Sequence, residues 1–229
     1  MKSELVELPP LKTGERLTRD EFIARWEATP NLKYAELIGG IVLLRMPLSD
    51  DHGGAHAPVA GCLFVYQAST PGCKSSIGSS WYMRDDMPQP ENSLRILPEY
   101  GGQSTILKRK GKHYLVGAPE LVVEVSLSTR THDMKAKKEL YRKAGVWEYI
   151  NIQPERNKVI FLRLKNGEYH EIESTDGIFR SEMFPGLWLD SKALLNEDSA
   201  RILAVLQEGL KSSEHAAFVA KLADRKSKP

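Results

Sequence analysis

Residues 118–155 read APELVVEVSLSTRTHDMKAKKELYRKAGVWEYINIQPE, and the order of patterns in this stretch decides the fold. LVVEVSL is β-branched and nearly continuous in its apolar character, the pattern of a strand buried on both faces, and Pro119 marks its entry. A turn at Ser128-Thr129-Arg130-Thr131 leads into a helix in which Met134, Lys137, Tyr141 and Ala144 share a face. Gly145 is placed to close that helix as the residue just past its end. WEYINI then reads as a second strand. Strand, helix, strand in this order predicts a crossover unit: two adjacent parallel strands with a helix covering one face.

Hairpins flank the unit on both sides. KYAELIGGIVLL predicts two short strands about Gly39-Gly40, and KVIFLRL pairs with EYHEI through the Asn166-Gly167 turn. SSIGSSWYM and ENSLRIL read as strands joined by an acidic, proline-bearing turn over 85–90. Thr18 is an N-cap, and Glu21 completes a capping box ahead of Phe22, Ile23 and Trp26 at helical spacing, with Pro30 ending that helix. After a loop at His52-Gly53-Gly54, Val59, Leu63 and Tyr66 predict another helix. Residues 98–117 read as a long basic loop, FPGLWLD as a last packed segment, and 199–223 as a C-terminal helix. The class is α/β: a mixed central β-sheet flanked by helices, with a C-terminal helical appendage. The expected division is a loose arm over 1–17, one domain over 18–190 and a helical tail over 191–229. Truncation after Asp190 should on this reading spare the core.

A chain of 229 residues, 41% hydrophobic and 27% charged, can bury a substantial core and fits no disordered class. No apolar run approaches membrane-spanning length, and the first residues lack the apolar core of a signal peptide, so the expectation is a cytoplasmic protein with no membrane partner. Cys62 and Cys73 lack CxxC spacing, which argues against zinc and against a disulfide scaffold. A net charge of +2 permits a nucleic-acid partner without arguing for one, although LKRKGKHY and HDMKAKKELYRKAG concentrate the basic residues. Phosphate-binding GxxxxGK[ST], dinucleotide GxGxxG, zinc-protease HExxH and hydrolase GxSxG motifs are absent.

Glu124 is the strongest anomaly, a carboxylate among Val122, Val123 and Val125. Burying it alone is costly, so it must be paired, protonated, at a cleft or on a metal. Glu91 follows Pro90 at a strand entry, where it could share a sheet end with Glu124. Two such carboxylates can hold a hard cation through oxygen. Lys137 lies on the apolar face of the crossover helix, within reach of the adjacent strand's carboxylate. Lys135 and Lys138 point elsewhere, to solvent or to a phosphate backbone.

The 118–155 block resembles the signature of a bacterial family of restriction-endonuclease-like proteins, the Uma family, whose members are similar to the PD-(D/E)XK nuclease superfamily. KYAELIGGIVLL and TRDEFIARWE extend the resemblance over about 18–189. It implies a restriction-endonuclease-like fold and magnesium- or manganese-dependent phosphodiester hydrolysis of nucleic acid, DNA before RNA. Carried over, Glu91 and Glu124 would be the metal-binding acids and Lys137 the lysine displaced onto the helix, since Ser126 stands at its usual place. Glu36 would be an auxiliary acid, with His52 and Asp133 as further candidates for supporting the ligands or orienting water. Lys108, Arg109, Lys110 and Lys135 would contact nucleic acid. The family's proline–aspartate pair reads Pro90-Glu91 here, which moves the carboxylate by about one bond, roughly 1.5 Å. That departure sustains an alternative: a nuclease fold that binds nucleic acid or a protein without cutting. A homodimer is expected, because cutting both strands calls for two copies of one small domain. An interaction protein working through 199–223 is a third reading.

Overall fold

The protein is described by a computed structural model over residues 8–29, 31–44, 50–126, 131–174 and 176–227; for 50–52 and 131–133 it describes the backbone. The elements in chain order are α1 (Arg19–Glu27), β1 (Ala35–Ile38), β2 (Ile41–Leu44), α2 (Asp50–Ser69), β3 (Cys73–Ile77), β4 (Trp81–Tyr82) and β5 (Asn92–Ile96). Next come β6 (Thr105–Arg109), β7 (Lys112–Val116), β8 (Leu121–Val125), α3 (Thr131–Ala144), β9 (Glu148–Gln153), β10 (Lys158–Lys165) and β11 (Glu168–Glu171). The chain closes with β12 (Ile178–Arg180), β13 (Trp188–Asp190), α4 (Ser191–Leu195), α5 (Ser199–Leu210) and α6 (Ser213–Lys226).

The crossover forms as its pattern predicts. β8 and β9 pair in parallel, with Glu124 opposite Asn151, and α3 covers one face. Around this pair the six-stranded sheet runs β11-β10-β9-β8-β5-β3, every other pairing antiparallel. Side chains alternate across β8. Leu121, Val123 and Val125 enter the main core with α2 and the C-terminal helices, while Val122 packs under α3 with Tyr141 and Tyr149. Glu124 therefore points to the α3 side, a place prepared for apolar groups.

Local signals account for the smaller elements. Gly39 and Gly40 take positive φ (60° and 73°) in the β1–β2 turn, as do Asn166 and Gly167 between β10 and β11. The capping box of α1 is formed, with the Thr18 N–H donating to Glu21 Oε2 at 2.8 Å. Pro30 and the turn at 128–130 lie outside the described residues.

Five expectations need correction. Residues 98–117 are not one loop: β6 and β7 form an antiparallel hairpin turned by Lys110 and Gly111, both at positive φ, beside β4. Basic residues on both faces of the ribbon (Lys108, Arg109, Lys112) had masked its period. SSIGSSWYM is two strands, broken at Gly78 (φ 56°). Helix α2 begins at Asp50 and runs through the His52-Gly53-Gly54 stretch with Pro58 inside it. The described part of the N-terminal arm is docked: Arg25 donates to the Pro9 and Pro10 carbonyls and forks onto both oxygens of Glu15, and Leu11 is buried. After Asp190 the helical tail is three helices. Leu194, Ile202, Leu206 and Leu222 join the same cluster as the sheet's Val123 and Ile150, because these apolar positions recur at helical spacing against the open sheet face.

Candidate active site

Three carboxylates and one ammonium meet where the β1–β2 hairpin, the ends of β5 and β8, and α3 converge. Glu36, Glu91, Glu124 and Lys137 are each at most 7% exposed. Lys137 Nζ lies 3.1 Å from Glu124 Oε1 and 2.9 Å from Glu36 Oε1, bridging the sheet to the hairpin. One turn further along α3, the Tyr141 hydroxyl donates to the same Glu124 oxygen at 2.6 Å. Spacing of four residues puts both donors on one helix face. Glu36 Oε1 also accepts the Gln89 backbone N–H at 2.7 Å. Glu91 Oε2 accepts the Val125 N–H at 2.8 Å, so its carboxylate is anchored at the end of the neighbouring strand, one residue beyond Glu124.

These contacts set the electrostatics. Burial pushes the Glu124 carboxyl above the usual carboxylate range; Lys137 and the Tyr141 hydroxyl oppose this, while Glu91 and Glu36 reinforce it. The Tyr141 hydroxyl is held well above its ordinary range by burial and then by Glu124 and Glu36, so it stays a proton donor. Tyr149 is shifted the same way, by burial first and Glu124 second. Negative charge thus exceeds positive among the described side chains here.

The four residues Glu36, Glu91, Glu124 and Lys137, singled out in the sequence, are brought together. The side chains of His52 and Asp133 lie outside the described ones. Lys108 and Lys135 are exposed. Arg109 and Lys110 turn to Glu27 of α1, at 3.2 and 2.6 Å, rather than to the acidic cluster. Sequence reasoning passed over Tyr141 as a helix-register residue. It also missed Asn151, whose amide donates to Ser126 Oγ at 2.8 Å beside Glu124. A polar side chain inside YINI was the same kind of signal as a glutamate inside LVVEV.

Among the described residues no three His, Cys, Asp or Glu side chains are set to hold a metal ion together. The donor set still fits one class of ion. Magnesium and manganese take oxygen ligands, and magnesium binds through one or two carboxylates while keeping several waters. Glu91 and Glu124 supply two carboxylates from adjacent strands. Burial raises the Glu124 carboxyl first, and Glu91 and Glu36 add to the rise; that crowding of negative charge is an imbalance a bound cation would relieve.

A family model described as "Uma2: Putative restriction endonuclease" matches residues 19–192. The chain belongs to the Uma2 family. Its match spans α1 to α4, so every residue of the acidic cluster falls inside the Uma2 region. Among solved structures, the fold is similar to that of a protein described as a "putative nuclease belonging to DUF820" from Anabaena variabilis. That similarity has a TM-score of 0.61 at 16% identity and covers 79% of this chain and 98% of the other. At this identity the likeness establishes a common fold. No curated protein matches the chain.

Proposed function

We propose that this Uma2-family chain is a metal-dependent endonuclease that hydrolyses phosphodiester bonds in nucleic acid, with DNA as the substrate and Mg2+ or Mn2+ as the cofactor. The observation that carries the reading is Lys137 held between Glu36 and Glu124, with Glu91 fixed at the same sheet end. Glu91 and Glu124 would hold the ion, which when bound polarises a phosphate oxygen and makes a water more acidic. The chain's own groups do the rest. Tyr141 donates to Glu124 Oε1 and fixes the carboxylate's orientation. Glu36 holds the Lys137 ammonium beside Glu124, where it stabilises negative charge growing on a phosphate. Lys108 and Lys135 would supply contacts to the nucleic-acid backbone. A duplex has two strands, so the working unit proposed is a homodimer.

A second reading follows from Glu91 itself. It stands where the family pattern has aspartate and accepts a backbone N–H, which suits a nuclease fold kept for binding without cutting. Calorimetric titration of manganese into the parent and into Glu124→Ala, run beside a plasmid-nicking assay, separates the two. The nuclease reading expects metal binding and nicking in the parent and neither in the variant. A parent that binds no metal and nicks nothing would favour the binder.

A further inference from the structure

Helix α2 lays a stripe of buried side chains against the sheet: Val59, Leu63 and Tyr66 join the same cluster as Val123 and Ile150. His56 extends that stripe by one step. It stands three residues before Val59 and seven before Leu63, within about 20° of the Leu63 direction around the helix. A half-buried polar ring in an apolar stripe is the same kind of departure as Glu124 in β8, and it calls for a partner. The partner is main chain. His56 Nε2 lies 3.3 Å from the Glu91 carbonyl oxygen. A carbonyl only accepts, so Nε2 carries a proton and His56 donates.

The Gly78 N–H, just past β3, donates to the same carbonyl at 3.1 Å. At the other end of the residue, the Glu91 carboxylate takes the Val125 N–H at 2.8 Å. Glu91 is thus held twice: by its main chain from α2 and the end of β3, and by its side chain from β8. The sheet alone holds it less well. Strand β5 begins only at Asn92, and Pro90 before it has no N–H to give. Extending the β5–β8 register by one residue sets Glu91 level with Glu124. Opposite residues of paired strands share a face, so turning the Glu91 peptide moves its carboxylate relative to that of Glu124.

We propose that His56 is a positioning residue for Glu91: its bond to the carbonyl lets α2 set the place of one acid of the cluster from the face of the sheet opposite α3. The consequence for metal rests on reading Glu91 as a ligand, whereas the effect on Glu91 itself does not. Losing a group that orients a metal ligand weakens metal binding about 10–100-fold. His56 acts on the ligand's main chain rather than on its carboxylate, so the lower figure applies.

The test is made on the full-length chain with two readouts: amide hydrogen exchange by NMR in a chelator, and calorimetric titration of manganese. His56→Leu puts an apolar side chain into an apolar stripe, so the fold should survive. In that variant the Val125 and Gly78 amides should exchange about tenfold faster than in the parent, measured against the amides of β10. Manganese should bind about tenfold more weakly. His56→Gln keeps a donor and should recover most of both losses. Leu63→Val trims the same stripe; it should lower the melting temperature and leave both readouts at the parent's values. His56→Leu with parent-like exchange at Val125 and Gly78 would overturn the inference. So would a glutamine variant no better than leucine, which would make His56 a packing group. If the parent binds no manganese, the metal reading of the site fails, and the exchange comparison by itself decides the positioning.

Discussion

Replacing either end of the buried Lys137–Glu124 pair should have opposite consequences for stability. In Glu124→Gln the amide oxygen still accepts from Tyr141, and Lys137 keeps Glu36 at 2.9 Å. What disappears is one of three crowded carboxylates. Burial and its two acidic neighbours lift the pKa of Glu124, so the charged form near neutral pH costs folding free energy that a neutral amide does not. The variant should melt no lower than the parent and up to about 4 °C higher, at roughly 2–4 °C per kcal/mol for a domain of this size. Lys137→Met removes the ammonium from between Glu36 and Glu124 and leaves two buried carboxylates facing its place. Breaking a buried pair this way costs about 3–5 kcal/mol, a fall of about 6–20 °C. Melting should be followed by calorimetry with a chelator present, so that adventitious metal does not bias the comparison. A simple structural ion pair predicts similar losses on both sides. If Glu124→Gln loses as much as Lys137→Met, the account of a charge-crowded site is refuted.

Truncation after Asp190 should yield insoluble or unfolded chain. Leu194, Ile202, Val205, Leu206 and Leu222 are all buried, and losing them removes about 8–15 kcal/mol, the scale of a whole domain's stability; a soluble, cooperatively melting 1–190 fragment would contradict this. Burial pushes the thiols of Cys62 and Cys73 up to about 12, so at about pH 8 roughly one in 10⁴ is thiolate. Iodoacetamide should leave both unmodified in the folded protein and label both in guanidinium chloride, and rapid labelling of either in the native state would show the core to be open there. Glu27→Gln frees Arg109 and Lys110 from their ion pairs. Affinity for duplex DNA should rise and its salt dependence steepen by about one to two counterions, measured by fluorescence anisotropy; an unchanged salt slope would take the β6–β7 hairpin out of the binding surface.

Much of the central architecture could be read from residue order because its signals are local. A continuous β-branched run, a helix with one apolar face and a second such run leave little choice but a parallel crossover, and β8, α3 and β9 form one. Gly39-Gly40, Asn166-Gly167 and the Thr18–Glu21 box likewise act within a few residues. Relations between distant segments were hidden. Nothing in the periodicity of β8 says that β5 is its other neighbour, or that the Glu91 carboxylate takes the Val125 N–H. Glu36 looked like one residue of a hairpin, and its bond to Lys137 exists only because that hairpin packs against the middle of α3. The β6–β7 hairpin went unread because its lysines occupy both faces of the ribbon. The C-terminal helices were taken for an appendage because an amphipathic stripe does not announce which surface will cover it.

The Glu36 carboxylate ties together parts of the chain that are far apart in sequence: it accepts from Gln89 and pairs with Lys137, while the adjoining Leu37 bridges to Met87. The β1–β2 hairpin therefore closes the site against both the sheet and α3. A nascent or partly unfolded chain can carry Glu124 and Lys137 side by side yet lack the clamp that orients the lysine. For a protein proposed to hydrolyse nucleic acid, this ties the placement of its lysine to a formed β1–β2 hairpin.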